Sequence, residues 1–207
     1  MRLRPSGDSG LLASSLSAFK RYQEEQAWTW EHQALVRARV LVGSPSLRKQ
    51  FNQVRLNVLG RQRSLPILQD EVSEMRAKMR HNHGTQITQG GLGPNAFNSD
   101  VQFDLKQDAG GIVDIEFMVQ YAVLAWSWQY PQLATYTDNI RILDGLGAEN
   151  LLDVDLVHIL QEAYKAYRAA AHRLALQKQQ GVVEGNLFIN ERHAVMDVWQ
   201  ALGLSYL

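Results

Sequence analysis

The chain has 207 residues, enough for one large domain or two small ones, and its 21 Lys plus Arg balance 21 Asp plus Glu at a formal net charge of +0, which with no basic run speaks against a nucleic-acid partner. Cysteine is absent, which excludes disulfides, thiol catalysis and cysteine-ligated zinc, fits a reducing compartment and makes the bacterial cytoplasm the expected location. No run reaches the roughly 18 apolar residues of a membrane span, and the N-terminal arginines lead into no apolar signal core.

Only 5 prolines, and long stretches rich in Ala, Leu, Gln, Glu, Lys and Arg, predict an all-α protein, a bundle of six or seven helices with a residual strand or short hairpin. Residues 1–12, with Pro5, Gly7 and Gly10, read as a strand end and turn, a stub of another fold, and 13–207 as the helical domain. A single helix of roughly 40 Å is expected from about Ser14 to Val42, ending at Gly43-Ser44-Pro45. On it Trp30, Gln33 and Arg37 share a face: Arg37 can reach a nucleotide phosphate with Trp30 shielding the base, or Trp28 and Trp30 are core and Arg37 pairs with a carboxylate. Helices from Ser46 to Leu59 and from Pro66 to about His83 follow, the proline suiting a first turn. His81-Asn82-His83 reads as basic residues at a helix C-terminus rather than metal ligands.

Residues 84–101, rich in Gly, Asn and Gln, form a long loop dividing the helical domain. The loop leads into a short extended segment over 103–106, for which the stub at residues 1–5 is the expected pairing partner. Further on, helices are expected over 112–129, about 139–146, 154–179 and 190–202. The last of these carries Val195, Val198 and Trp199 as its buried stripe. Asp153-Val154-Asp155, although an Asp-x-Asp, follows no Gly-Ser pair and reads as a helix cap.

The richest segment is Asp104-Leu105-Lys106-Gln107-Asp108-Ala109-Gly110-Gly111-Ile112-Val113-Asp114-Ile115-Glu116-Phe117. Ile112, Ile115, Val119, Ala122 and Trp126 recur at helical spacing, so a helix starts directly after Gly110-Gly111. Free amides at such a start make an anion site to which Lys106 adds a charge, or the segment is a glycine turn with an ordinary acidic first turn. Asp114 and Glu116 lie roughly 200° apart on a helix, so they do not chelate one ion together. Glu116, sharing a face with Gln120, is the stronger site candidate of the two.

That segment, with Arg2-Leu3-Arg4-Pro5-Ser6-Gly7 followed by Ser9-Gly10-Leu11-Leu12, and with Ala27-Trp28-Thr29-Trp30-Glu31-His32-Gln33-Ala34-Leu35-Val36-Arg37-Ala38-Arg39, resembles the C-terminal region of the bifunctional glutamine synthetase adenylyltransferases and adenylyl-removing enzymes over nearly the whole chain. The stretch around Asn139 and Arg141 is similar to the family's Asp-Asn-x-Arg-x-Leu wording. The resemblance implies a helical region that adjoins an upstream nucleotidyltransferase domain, uses ATP and magnesium, and acts on glutamine synthetase under control of the PII protein. It implies phosphate contacts from Arg2, Arg4, Arg37, Lys106 and the amides of Gly110 and Gly111, with Glu116 orienting one of these cations or a metal-bound water. The family's Gly-Ser and Asp-x-Asp signature and its third Asp are expected to precede Met1. The chain is therefore expected to have no catalytic residue or metal ligand of its own, to be inactive alone and to bind no nucleotide tightly. Two other readings are a docking or regulatory module for glutamine synthetase or PII, and part of a PII uridylyltransferase, whose wording is less similar.

Overall fold

A computed structural model describes residues 13–85, 97–98 and 100–207. Among them are eight α-helices and one two-stranded sheet: α1 (Leu16–Glu25), α2 (Thr29–Val36), α3 (Pro45–Leu59), α4 (Leu65–His83), β1 (Gln102–Asp104), α5 (Ile112–Trp126), α6 (Asn139–Ala148), α7 (Val154–Leu176), β2 (Val182–Glu184) and α8 (Ile189–Ala201), with a 3-10 turn at Pro131–Ala134. The mostly helical expectation holds. The extra helix arises because the single helix expected over residues 14–42 is two, and it ends at Val36 rather than Val42.

The break has a local cause. Tyr22 O accepts both the Gln26 and the Ala27 N-H, closing α1. The Glu31 carboxylate then turns back, accepting the Trp28 N-H at 3.0 Å and the Tyr22 hydroxyl at 2.7 Å. One side chain thus caps the second helix and ties it to the first.

The described residues divide into two compact units in sequence. One comprises residues up to Glu71 with Val119–Glu149; the other comprises Val72–Met118 with Asn150–Leu207. The boundaries fall within α4 and α5 and after α6; most of the 84–101 loop expected to divide the helical domain lies outside the described residues, as do residues 1–12.

In the first unit α1 and α2 pack on α3, with Leu35, Val36, Val58 and Leu59 fully buried and Phe19 stacked on Phe51 at 5.8 Å. Arg55 of α3 is buried among them with backbone carbonyls as its partners. Its Nε donates to Leu35 O at 3.0 Å, Nη2 to Val36 O at 2.6 Å and to Tyr136 O at 3.3 Å, and Nη1 to Ala134 O. Burial pulls its pKa down to about 10, still far enough above neutrality for the guanidinium to stay charged and fasten the end of α2 to the 3-10 turn. Asp138 caps α6, accepting the Arg141 N-H at 3.0 Å and its Nε at 2.6 Å.

In the second unit α7 packs on α8. The β strands are antiparallel, with Gln102 opposite Glu184, Phe103 opposite Val183 and Asp104 opposite Val182. Among the described residues the partner of the short extended segment is β2, while the expected partner, the stub at residues 1–5, lies outside them. A three-residue strand after a helix ending at Leu176 has too little alternation to be read as one. Phe103 is buried edge-on to Tyr167, which is in turn edge-on to Phe188. The expected stripe of Val195, Val198 and Trp199 is fully buried, and Asp153 caps α7 by accepting the Asp155 N-H at 2.8 Å.

Candidate functional site

The segment from Asp104 to Glu116 lies in the second unit, and its shape comes from acids turned back on its own backbone. Asp104 accepts the N-H groups of Lys106 and Gln107 at 2.8 and 2.9 Å, which folds the chain directly after β1. Asp108 accepts the Asp104 N-H at 2.8 Å, and from Thr85 both the N-H and the hydroxyl at 2.8 Å each. The Lys106 side chain projects from this turn into solvent.

The glycine pair does not provide open amides. Gly110 N-H donates to the Asp114 carboxylate at 2.7 Å and Gly111 N-H to Asp108 O at 3.1 Å, while Ile112 and Val113 donate to Leu105 O and Lys106 O. The helix start is closed by its own chain, which corrects the expected anion site at Gly110 and Gly111. Glycine is required there for a different reason. Gly110 has φ +79°, and a Cβ on it would lie 2.7 Å from Arg192 O; one on Gly111 would lie 2.8 Å from Leu105 O. The pair lets α8 and the turn come into backbone contact.

Asp114, not Glu116, is the anchor of the segment. Both Asp114 and Arg76 of α4 are fully buried, joined Nε to Oδ1 at 2.5 Å. Arg76 Nη2 also donates to Gln107 O at 2.8 Å, so one guanidinium clamps the Lys106 turn at two points. The second Asp114 oxygen accepts both Gly110 N-H and, at 2.9 Å, the Tyr206 hydroxyl. Burial, and after it the adjoining Asp114 carboxylate, push the Tyr206 hydroxyl well above the usual phenol range, so it remains a donor. Arg80 lies over the Tyr206 ring at 4.7 Å; burial lowers its pKa and Asp114 partly offsets this. Residues 204–206 are docked here as well, through buried Leu204 and the Ser205 N-H, which donates to Ser73 Oγ at 3.0 Å. Glu116 is half-buried and accepts the Tyr164 hydroxyl at 3.5 Å.

Arg192 completes the frame. Its guanidinium lies over Phe103 at 4.0 Å and over Phe97 at 4.4 Å, and donates to Gly185 O at 2.7 Å. Arg76, Asp108, Arg192 and Tyr206 were not singled out from sequence, where Arg76, Arg192 and Tyr206, at 34 to 96 residues from Gly110, carry no local pattern. The one available signal was Ser73, Arg76 and Arg80 stepping by three and four along α4, an interior spacing occupied by polar residues.

The remaining expected residues fall elsewhere. Arg37 belongs to the first unit, where it is exposed at the C-terminal end of α2. On the face it was expected to share, Trp30 is half-buried and Gln33 fully buried, with neither amide atom hydrogen-bonded among the described residues. Trp28 is 71% exposed, so it is not core. Arg2 and Arg4 lie outside the described residues. Among the described residues no group of three or more His, Asp or Glu could hold a metal ion, and no helix is long and apolar enough to cross a membrane.

Residues 1–54 match the family model of glutamate-ammonia ligase adenylyltransferase, and residues 73–204 match that of GlnD PII-uridylyltransferase. The second of these matches covers the braced glycine segment. The bifunctional glutamine synthetase adenylyltransferase/adenylyl-removing enzyme of Pseudomonas syringae pv. tomato is 66% identical over 206 residues, 99% of this chain and 21% of the relative. That of Pseudomonas aeruginosa is 63% identical over 204 residues, again 99% and 21%, and that of Nitrosococcus oceani 53% over 201 residues, 97% and 20%. The chain belongs to the family of glutamine synthetase adenylyltransferase/adenylyl-removing enzymes, and it spans about a fifth of the length of the curated relatives it matches.

Proposed function

We propose that this chain is the C-terminal helical part of an enzyme that transfers AMP from ATP to a tyrosine of glutamine synthetase, and that it contributes cations to the nucleotide site while the catalytic carboxylates come from an upstream domain. The observation that carries the reading is the identity of 66% over 99% of the chain to a bifunctional adenylyltransferase. The cations suit triphosphate: Lys106 is exposed on a turn fixed by Asp104, Asp108 and Arg76, so its ammonium is presented from a rigid base. Arg37 offers a second exposed cation in the first unit. Gly110 and Gly111 support the turn in this reading rather than touching phosphate, and Glu116 holds the Tyr164 hydroxyl. The described residues do not fit a magnesium ion, and no step through the metal is assigned to them. In this reading the chain alone is inactive and PII acts as a regulator.

Calorimetric titration with Mg-ATP tests the reading, on this chain and on the chain joined to its upstream nucleotidyltransferase domain. Binding by the longer polypeptide alone is expected, with Lys106→Ala raising the KM for Mg-ATP about tenfold, the loss of one charge-assisted phosphate contact of roughly 1.4 kcal/mol. Tight binding by the short chain, or an unchanged KM in Lys106→Ala, would refute it. The match of residues 73–204 to the PII-uridylyltransferase model favours one further reading, a helical module shared with enzymes that modify PII. Transfer of UMP to PII by the longer polypeptide would establish that one instead.

A further inference from the structure

The charge of this chain balances only on average. From His32 to Gln69 there is no Asp or Glu, yet the stretch holds Arg37, Arg39, Arg48, Lys49, Arg55, Arg61 and Arg63. With 21 cations and 21 anions in all, the rest of the chain has 14 and 21, so +7 faces −7. Arg55, Arg61 and Arg63 are engaged with backbone carbonyls. Arg39, Arg48 and Lys49 are exposed, and no ion pair among the described residues holds them.

Apolar side chains accompany those cations. Val42 is 91% exposed, Leu41 75% and Leu47 44%. Gly43 joins them: a Cβ there would sit 3.3 Å from Leu47 and 3.6 Å from Val40, so these two side chains flank the glycine. Beside it a groove of about 460 Å³ is lined by Gly43, Arg48, Lys49 and Leu56 among others. Residues 45–50 are exposed throughout, and Phe51 after them is stacked on Phe19. Residues 45–50, all exposed, gain little from burial, and exposed leucine and valine gain only when something covers them.

The structure assigns this face, Arg39 to Lys49, as the docking surface for an acidic and partly apolar patch on the protein substrate, glutamine synthetase in the reading proposed above, on which this assignment rests. The chemistry selects among occupants. A partner must bring carboxylates to three exposed cations and apolar atoms to Leu41, Val42 and Leu47. A nucleic acid meets the charge and leaves the aliphatic strip uncovered. A small cation-rimmed strip suits an enzyme and its protein substrate, which must associate quickly and part after each turnover, better than it suits a permanent interface.

The test uses the full-length enzyme with glutamine synthetase and Mg-ATP as substrates, comparing the double variant Arg48→Glu/Lys49→Glu and, separately, Val42→Asp with the unaltered protein. All three side chains are exposed, so the fold should tolerate these changes. The expected result is a KM for glutamine synthetase raised tenfold or more, with the KM for Mg-ATP changed less than twofold and the salt dependence of the protein-substrate KM flattened in the double variant. An unchanged KM for glutamine synthetase in variants that still adenylylate it would overturn the assignment alone. So would losses confined to kcat and thermal stability, which would mean that another part of the enzyme covers the face, or competitive displacement of glutamine synthetase by a short RNA that the double variant no longer binds. If the unaltered enzyme does not adenylylate glutamine synthetase at all, the proposed function fails first and the docking assignment with it.

Discussion

Asp114 carries more of the structure than its neighbours in the motif suggest. It is a fully buried carboxylate with a cation, an amide and a phenol on its two oxygens. Removing one member of such a pair leaves the other charge buried without compensation, which costs about 3–5 kcal/mol. Asp114→Asn should therefore lower the denaturant midpoint sharply by leaving Arg76 uncompensated, whereas Glu116→Gln, at a half-buried site where an amide oxygen can still accept the long hydrogen bond from the Tyr164 hydroxyl, should stay within about 0.5 kcal/mol of the parent. Equal losses in the two variants, measured by urea unfolding, would contradict this ranking. The sequence points toward Glu116 because a helical wheel shows which residues share a face of α5 but not which face meets α4.

At the scale of elements, most helices were legible because their periodicity and caps are local: Pro45 opens α3, Asp138 caps α6 and Asp153 caps α7. The break between α1 and α2 was not legible, since Trp28 occupies the cap position where Ser, Thr, Asp or Asn would announce a start, and only the Glu31 three residues later hints at a capping arrangement. The break also places His32 Nε2 3.0 Å from Gln23 O. Burial, as the largest cause, lowers the His32 pKa below 6.5. The native state then binds fewer protons at this site than the unfolded chain does, so its contribution to stability is complete above pH 6.5 and is lost as the pH falls through the depressed native pKa. His32→Asn should remove this part of the pH dependence: between pH 7 and pH 5 the unaltered chain should lose more stability than the variant, as read from urea midpoints at closely spaced pH. Parallel curves would show that His32 does not titrate on unfolding.

Over the whole molecule, composition described the fold class well and the charge poorly. Twenty-one cations against 21 anions average to +0 and an isoelectric point near 7.0, which hides the acid-free stretch from His32 to Gln69. Averaging discards position, and position determines what a surface attracts. A chain without net charge has no long-range self-repulsion, and one whose cations are segregated in sequence from its anions can bring unlike regions of two copies together. The isolated chain should therefore attract itself near pH 7 at low ionic strength. Light scattering at 20 mM salt should give a negative second virial coefficient that rises toward zero by about 0.15 M, where the screening length has fallen to about 8 Å. Arg48→Glu/Lys49→Glu should weaken that attraction in low salt by taking two cations from the basic stretch and lowering the net charge by four, away from zero. Attraction that persists unchanged through high salt would locate its source in Leu41, Val42 and Leu47 instead, because apolar contact is not screened by salt.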